Sequence, residues 1–180
     1  MEKSIEKIEL SMQTGNADEV MKAVQASVDL YHPLELLTNL LDRGYIDAAL
    51  YFYKHKTSHC SNYEMKYGNL YKDAGFTTKA TNLLYNALIN TERMEEAWNY
   101  HPLEYEGATY AGNASSYFSY ISDVVNYYCM KNDKASAKQF VKDHIVWFVN
   151  NVDNGKWGEK YPDFKSKKVN QRLMQQINNY

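Results

Sequence analysis

The sequence predicts an all-α protein built from helical hairpins that follow one another along the chain. Apolar residues recur three or four positions apart through most of the 180 residues, which is the spacing of an amphipathic helix. The chain holds only three prolines, and Gly or Asn residues stand between the apolar stretches, as at the ends of helices. A stack of hairpins of this length needs no second domain, so we expect one domain over residues 1–180.

The first two hairpins are predicted over residues 3–30 and 32–56. Gly15 separates the first pair of helices, and Gly44 separates the second pair. Pro33 fits the first turn of its helix because the missing N–H needs no partner there. The predicted buried faces consist of Ile5, Ile8, Met12, Val20, Val24 and Val28 in the first hairpin and of Leu34, Leu36, Leu37, Leu40 and Leu41 in the second.

The third and fourth hairpins are predicted over residues 61–90 and 115–150. In the third, the first helix ends before Gly75, and Thr77 or Thr78 precedes the second helix. In the fourth, the turn lies at Asn132. The expected core of these hairpins comprises Leu83, Leu84, Ala87, Leu88, Val124, Val125, Tyr128, Phe140, Val141, Ile145 and Phe148. A polar last helix over residues 165–178 would cap the stack, because one of its faces can stay exposed to solvent.

Residues 98–113 form the least helical part of the chain, because they contain Pro102, Gly107 and Gly112. We interpret them as an ordered insertion between the third and fourth hairpins. Its aromatic side chains either form an exposed binding surface or fold back into the gap between the hairpins. These aromatic residues are Trp98, Tyr100, Tyr105 and Tyr110.

A repeated pattern marks the predicted turn inside each hairpin. The turn positions are Gly15, Gly44, Gly75 and Asn132, and the small residues five positions later are Val20, Ala49, Ala80 and Ala137. Gly or Asn tolerates the left-handed conformation that ends the first helix, and a small side chain lets the second helix pack closely. This pattern resembles the tetratricopeptide repeat. The third hairpin matches the family's small, aromatic, turn and packing positions with Gly68, Tyr71, Gly75, Ala80, Leu84 and Ala87.

The resemblance implies a right-handed superhelix of about four hairpins with a concave groove that binds a peptide. The family's groove positions fall on Glu9, Thr38, Asn62, Met65, Asn69, Lys72, Ser122 and Asn126. Asn69 and Asn126 would bond the main chain of the ligand, since an amide both donates and accepts. Solvation on an exposed helix face is the alternative for both asparagines. Met65 and Ser122 stand where a lysine would clamp a C-terminal carboxylate, so we do not expect that specificity.

The composition disfavours nucleic-acid and membrane partners. The chain has 20 basic and 22 acidic side chains and a formal net charge of -2, which gives no field to attract a phosphate backbone. No stretch approaches the roughly 20 apolar residues that cross a bilayer. The charged beginning of the chain predicts neither a signal nor a transit peptide, and Cys60 and Cys129 fit a reducing compartment. We therefore expect a cytoplasmic protein.

One short segment contains residues of the types that bind metals, namely His55, His59 and Cys60. A helix boundary at Thr57 and Ser58 would place the two histidines on different faces, so we expect no metal site and no cofactor. The sequence also lacks a phosphate-binding glycine loop and a nucleophile elbow, and we expect no catalytic residues.

The sequence therefore favours a protein–protein interaction module, an adaptor or an inhibitor, that binds a peptide or a partner protein in its groove. The alternatives are a structural subunit that self-associates as a homo-oligomer and, less favoured, a small metal-binding protein or enzyme. The three hypotheses differ in the mass of the protein in solution and in its metal content.

Overall fold

The computed structural model describes residues 2–26, 33–55, 74–101, 110–155 and 158–180. These residues are helical or lie in turns, and none of them forms a strand, which confirms the all-α prediction. The chain divides into two compact units, Met1–Leu88 and Ile89–Tyr180. One domain over residues 1–180 stays a prediction. None of the described helices has an apolar stretch long enough to cross a lipid bilayer.

The first unit contains the two predicted N-terminal hairpins. Its helices are α1 (Glu2–Gln13), α2 (Ala17–Gln25), α3 (Pro33–Asp42), α4 (46–55) and most of α5 (Ala74–Asn90). α3 begins at Pro33, as predicted. Of the predicted apolar faces, Ile8, Met12, Val20, Val24, Leu36, Leu37 and Leu40 are buried in the core. Leu34 and Leu41 are half-buried. Val28 lies outside the described residues.

Both turns of the first unit have the predicted left-handed backbone. Gly15 has a φ of +71° and Gly44 a φ of +82°. Asn16 then caps α2, because its side-chain oxygen accepts hydrogen bonds from the amides of Asp18 and Glu19 at 3.0 and 3.3 Å. The Tyr45 hydroxyl donates to the main-chain oxygen of Met12 at 3.1 Å. This bond joins the second turn to the end of α1.

The predicted turn at Gly75 is wrong, because Gly75 lies inside α5 (Ala74–Asn90). A glycine inside a helix costs only about 1 kcal/mol relative to alanine. The buried side chains of Ala80, Leu84 and Leu88 on one face of α5 offset that cost. Thr77 and Thr78 are also helical, so they do not precede a new helix as predicted.

The turn that ends α5 lies instead at Glu92, which has a φ of +60°. Its amide donates to the main-chain oxygen of Ile89 at 3.0 Å. Ala97, five positions later, is fully buried. The pattern of a left-handed residue followed by a small buried residue is therefore present here, but glutamate takes the position where the sequence pattern requires Gly or Asn.

The second unit is built on three long helices that pack on one another. Its elements are α6 (Met94–Trp98), α7 (Tyr110–Met130), α8 (Lys134–Phe148), a π-helical turn (Val149–Asp153), a 3-10 turn (Pro162–Phe164) and α9 (Ser166–Asn178). The core lies between α7, α8 and α9 and includes Ile121, Val124, Val125, Val141, Phe148, Val169, Leu173 and Ile177. Helices are thus present where the fourth hairpin and the last helix were predicted, as α7, α8 and α9.

α7 begins five residues before the predicted start at Ser115, so residues 110–113 of the predicted insertion are helical. The buried residues Ala114, Tyr117 and Ile121 continue the core face of α7 towards its beginning. Burial on this face outweighs the helix cost of Gly112.

The turn between α7 and α8 follows the prediction. Asn132 has a φ of +64°, and Ala137, five positions later, is fully buried. Asp133 caps α8 by accepting bonds from the amide and the hydroxyl of Ser136 at 3.0 and 2.6 Å. These bonds from Ser136 lower the pKa of the Asp133 carboxyl.

Candidate partner-binding groove

A groove of about 530 Å³ runs between α7 and α9 in the second unit. It forms because α9 buries a stripe of Val169, Leu173 and Ile177, which leaves the neighbouring polar face of the helix at the edge of the contact with α7. Its lining residues are Phe118, Ser122, Arg172, Gln175, Gln176, Asn179 and Tyr180. A volume of this size lies in the usual range of ligand sites, roughly 300–1,000 Å³.

A hydrogen-bonded network fixes the floor of the groove. Ser122 Oγ donates to Gln176 Oε1 at 2.9 Å, and Gln176 Nε2 donates back to the main-chain oxygen of Ser122 at 3.0 Å. Asn126 Oδ1 accepts from Gln176 Nε2 at 2.7 Å and from the Tyr180 hydroxyl at 3.1 Å. The four side chains hold α9 in one register along α7.

The rim of the groove carries polar side chains that are not part of this hydrogen-bonded network. Gln175 and Asn179 are exposed, and their side-chain amides make no hydrogen bond within the described part of the chain. The Arg172 guanidinium carbon lies 4.1 Å from the centroid of the Phe118 ring. Donors and acceptors for a ligand are therefore available above a rigid floor.

The structure brings two of the predicted groove residues together. Ser122 and Asn126 both lie on the side of α7 that faces α9. The Asn126 oxygen is used by Gln176 and Tyr180, not by solvent alone. The resemblance to the tetratricopeptide repeat did not include α9 residues among the groove positions, so this pairing is new.

The other predicted groove residues are separate from this site or outside the described ranges. Glu9 is exposed on α1 in the first unit. Thr38, also in the first unit, is half-buried and donates its hydroxyl to the main-chain oxygen of Leu34 at 2.8 Å. The residues outside the described ranges are Asn62, Met65, Asn69 and Lys72.

Two aromatic side chains of the predicted insertion, Trp98 and Tyr100, pack inside the second unit. Trp98 is half-buried and meets Tyr117 edge to face, with 5.0 Å between the ring centroids. Tyr100 is buried. Tyr105 lies outside the described residues, and Tyr110 is the first residue of α7. For Trp98 and Tyr100 the structure supports packing rather than an exposed binding surface.

The interior of this aromatic region holds titratable groups whose pKa values are shifted. Burial and the nearby Glu95 raise the pKa of Tyr117 to about 12. Burial also lowers the pKa of His101, although the charge of Asp123 opposes that shift. Both effects stabilise the uncharged form of the side chain, as expected for groups that serve packing.

His144 has two hydrogen-bonding partners in the second unit. Its Nδ1 lies 2.9 Å from the main-chain oxygen of Phe140, and its Nε2 lies 3.1 Å from Glu95 Oε1. The ring also stacks on Phe140 at 3.9 Å between centroids. The contact with Glu95 links α8 to α6.

The part of the chain that the structure describes contains no group of three or more His, Cys, Asp or Glu side chains that could hold a metal ion. His55 is exposed and stacks on Tyr51 at 4.0 Å between ring centroids. His59 and Cys60 lie outside the described residues. Cys129 is buried, and burial raises the pKa of its thiol, which disfavours the reactive thiolate.

Sequence reasoning missed the α9 half of the groove. The signal in the sequence is the apolar stripe of Val169, Leu173 and Ile177, flanked by glutamines and asparagines. This stripe shows that the helix packs on another element, but it does not show which element.

Comparison with known proteins gave no match, whether with protein-family models, curated proteins or solved structures. The tetratricopeptide resemblance therefore stays a prediction that rests on the turns and on the small residues that follow them.

Proposed function

We propose that this protein is an interaction module, an adaptor or an inhibitor, that holds an extended segment of a partner polypeptide in the groove between α7 and α9. The observation that carries this proposal is the pair of unengaged amides, Gln175 and Asn179, above the floor formed by Ser122, Gln176 and Asn126. Amide groups both donate and accept, so they pair with a peptide main chain whatever its sequence.

The spacing of the two rim amides suits an extended chain. Gln175 lies in the last turn of α9, and Asn179 is the residue that caps its end with helical backbone angles. The two residues stand four apart in the sequence, which separates them by about 6 Å along the helix axis. Two residues of an extended strand advance roughly 6.7 Å, and main-chain groups that point the same way repeat at that interval. One amide can therefore bond one peptide unit, and the other amide can bond the unit two residues further on.

A stack of tetratricopeptide-like hairpins is part of the same proposal. Its support is the shared geometry of the four turns, in which a left-handed residue precedes a fully buried small residue by five positions. The left-handed residues are Gly15, Gly44, Glu92 and Asn132, and the buried residues are Val20, Ala49, Ala97 and Ala137. The right-handed superhelix and the cytoplasmic location rest on the sequence and stay predictions.

The test is selection of a random peptide library displayed on phage, with the full chain as bait. Enriched peptides are then measured against the double variant Gln175→Ala/Asn179→Ala. The matched control is Gln171→Ala/Asn178→Ala, which removes one exposed Gln and one exposed Asn from positions of α9 that do not line the groove. The loss of two amide bonds should weaken binding about tenfold in the first variant and leave the control unchanged.

Three other outcomes would contradict the proposal. Equal binding by both variants would place the peptide site on another surface. Failure to enrich any peptide would remove the support for peptide binding. Sedimentation of the free protein as a stable oligomer, with no peptide enriched, would favour the self-associating structural subunit.

A further inference from the structure

Arg172 is presented to the groove as a planar fork. Its guanidinium carbon lies 4.1 Å from the centroid of the Phe118 ring, within the range of a cation–π contact, which restricts the motion of the side chain. A guanidinium is planar, and its five N–H donors lie in that plane. This geometry matches the two oxygens of a carboxylate, which an arginine binds through a pair of parallel hydrogen bonds.

Arg172 has no carboxylate partner among the residues that the structure describes, and the side chain is exposed. It is also the charged member of the groove lining, since the other lining residues are Phe118, Ser122, Gln175, Gln176, Asn179 and Tyr180. A guanidinium that lies over an aromatic ring, without a carboxylate partner among the described residues and with uncharged side chains around it, is suited to bind a negatively charged group of a ligand.

Further basic residues precede Arg172 in the sequence. Residues 165–180 contain Lys165, Lys167, Lys168 and Arg172 and no Asp or Glu. Lys168 stands one turn before Arg172 and pairs with Asp163 at 3.0 Å, so its charge is largely offset, whereas Lys165 and Lys167 have no carboxylate partner among the described residues. The potential at this end of the groove therefore favours an acidic segment.

We propose that the groove selects an acidic segment of a partner protein, in which the side-chain carboxylate of an internal Asp or Glu pairs with Arg172. This inference rests on the proposed function and names the partner class for the same site. Gln175 and Asn179 would bond the main chain beyond that carboxylate, because they lie one and two turns after Arg172 on α9.

The test uses an array of heptapeptides with acetylated and amidated ends, printed in pairs. The members of a pair differ only at the central residue, Glu in one and Gln in the other, and the remaining positions carry uncharged residues. Fluorescently labelled full-length protein is applied as the native sequence, as Arg172→Gln and as Lys167→Gln. Lys167 is exposed and outside the groove lining, so the two variants have the same net charge.

The native protein should bind Glu peptides about tenfold more strongly than their Gln partners. Lys167→Gln removes only an exposed charge that solvent and salt screen, so it should keep most of that preference, at least about fivefold. In Arg172→Gln the preference should fall to within about twofold. Arg172→Lys keeps the charge without the fork and should show an intermediate preference, which also tests the inference if Arg172→Gln proves less helical than the native protein.

Peptide binding without a preference for Glu would overturn the acidic-segment inference and leave the peptide groove in place. Absence of binding by every peptide would overturn the proposed function itself. A Glu preference that persists in Arg172→Gln would assign the carboxylate to another residue, which also overturns the inference.

Discussion

Ser122 on α7 and Gln176 on α9 exchange two hydrogen bonds, although they lie 54 residues apart in the sequence. The serine hydroxyl donates to the glutamine oxygen at 2.9 Å, and the glutamine nitrogen donates to the serine main-chain oxygen at 3.0 Å. The same nitrogen also reaches Asn126 Oδ1. Because this exchange sets the register of α9 along α7, it also sets the shape of the groove.

Gln176→Ala should reduce the free energy of unfolding by about 1–3 kcal/mol. The change removes the bonds to Ser122 and Asn126, and each intramolecular hydrogen bond contributes roughly 0.5–1.5 kcal/mol. Urea denaturation followed by circular dichroism measures the loss. Gln171→Ala is the control on the same helix and should stay within about 0.5 kcal/mol of the native protein. Equal losses in the two variants would show that the Gln176 bonds do not stabilise the fold.

Tyr120→Phe should destabilise the second unit by about 1–2 kcal/mol. The buried Tyr120 hydroxyl donates to the main-chain oxygen of Met94 at 2.8 Å, and its removal leaves that oxygen without this donor. Tyr117 stands one turn earlier on α7, and its hydroxyl has no hydrogen bond to the residues that the structure describes. Tyr117→Phe should therefore change the stability by less than about 0.5 kcal/mol. A larger loss for Tyr117→Phe than for Tyr120→Phe in thermal unfolding would contradict this assignment.

The stability of the second unit should fall as the pH drops below about 6.5, the ordinary pKa of histidine. Burial lowers the pKa of His101 in the folded state. Between the folded and unfolded pKa values the unfolded chain binds more protons, so acid favours unfolding in that window. The contribution of uncharged His101 to the free energy of unfolding is complete above the pKa of the unfolded state. It is lost as the pH falls through the lower pKa of the folded state.

An NMR titration of the His101 ring protons measures this pKa directly, and we expect a midpoint below 6.5. Denaturation at pH 7 and pH 5 should show a smaller loss of stability in His101→Gln than in the native chain. A midpoint at or above the ordinary value would refute the explanation by burial.

Gly44→Ala should cost about 1 kcal/mol of stability in the first unit. The cost comes from the backbone, because Gly44 has a φ of +82° and a Cβ added there meets no atom within 4 Å. Gly44→Asn should cost less, since asparagine enters the left-handed region more readily. Chemical denaturation of the two variants gives the comparison. Equal stability of Gly44→Ala and the native protein would show that this turn does not require a left-handed residue.

Much of the fold followed from local chemistry. Gly15, Gly44 and Asn132 adopt the predicted left-handed backbone because glycine and asparagine carry little penalty there. The apolar spacing of α1, α2 and α3 located their buried faces, and the polar last helix appeared as α9. Of the candidate site, Ser122 and Asn126 were identified from the repeat, while their partners on α9 were not.

The sequence by itself determined that the chain is helical, where the chain turns between most of its helices, and which apolar faces the helices bury. These properties depend on backbone preferences and on residues a few positions apart. Only the tertiary structure decided that Glu92 forms a turn while Gly75 does not, and that α7 begins at Tyr110. It also decided that Gln176 and Tyr180 meet Asn126. The physical reason is that burial of an apolar face outweighs local propensities of about 1 kcal/mol, and the same burial selects hydrogen-bond partners far apart in the chain.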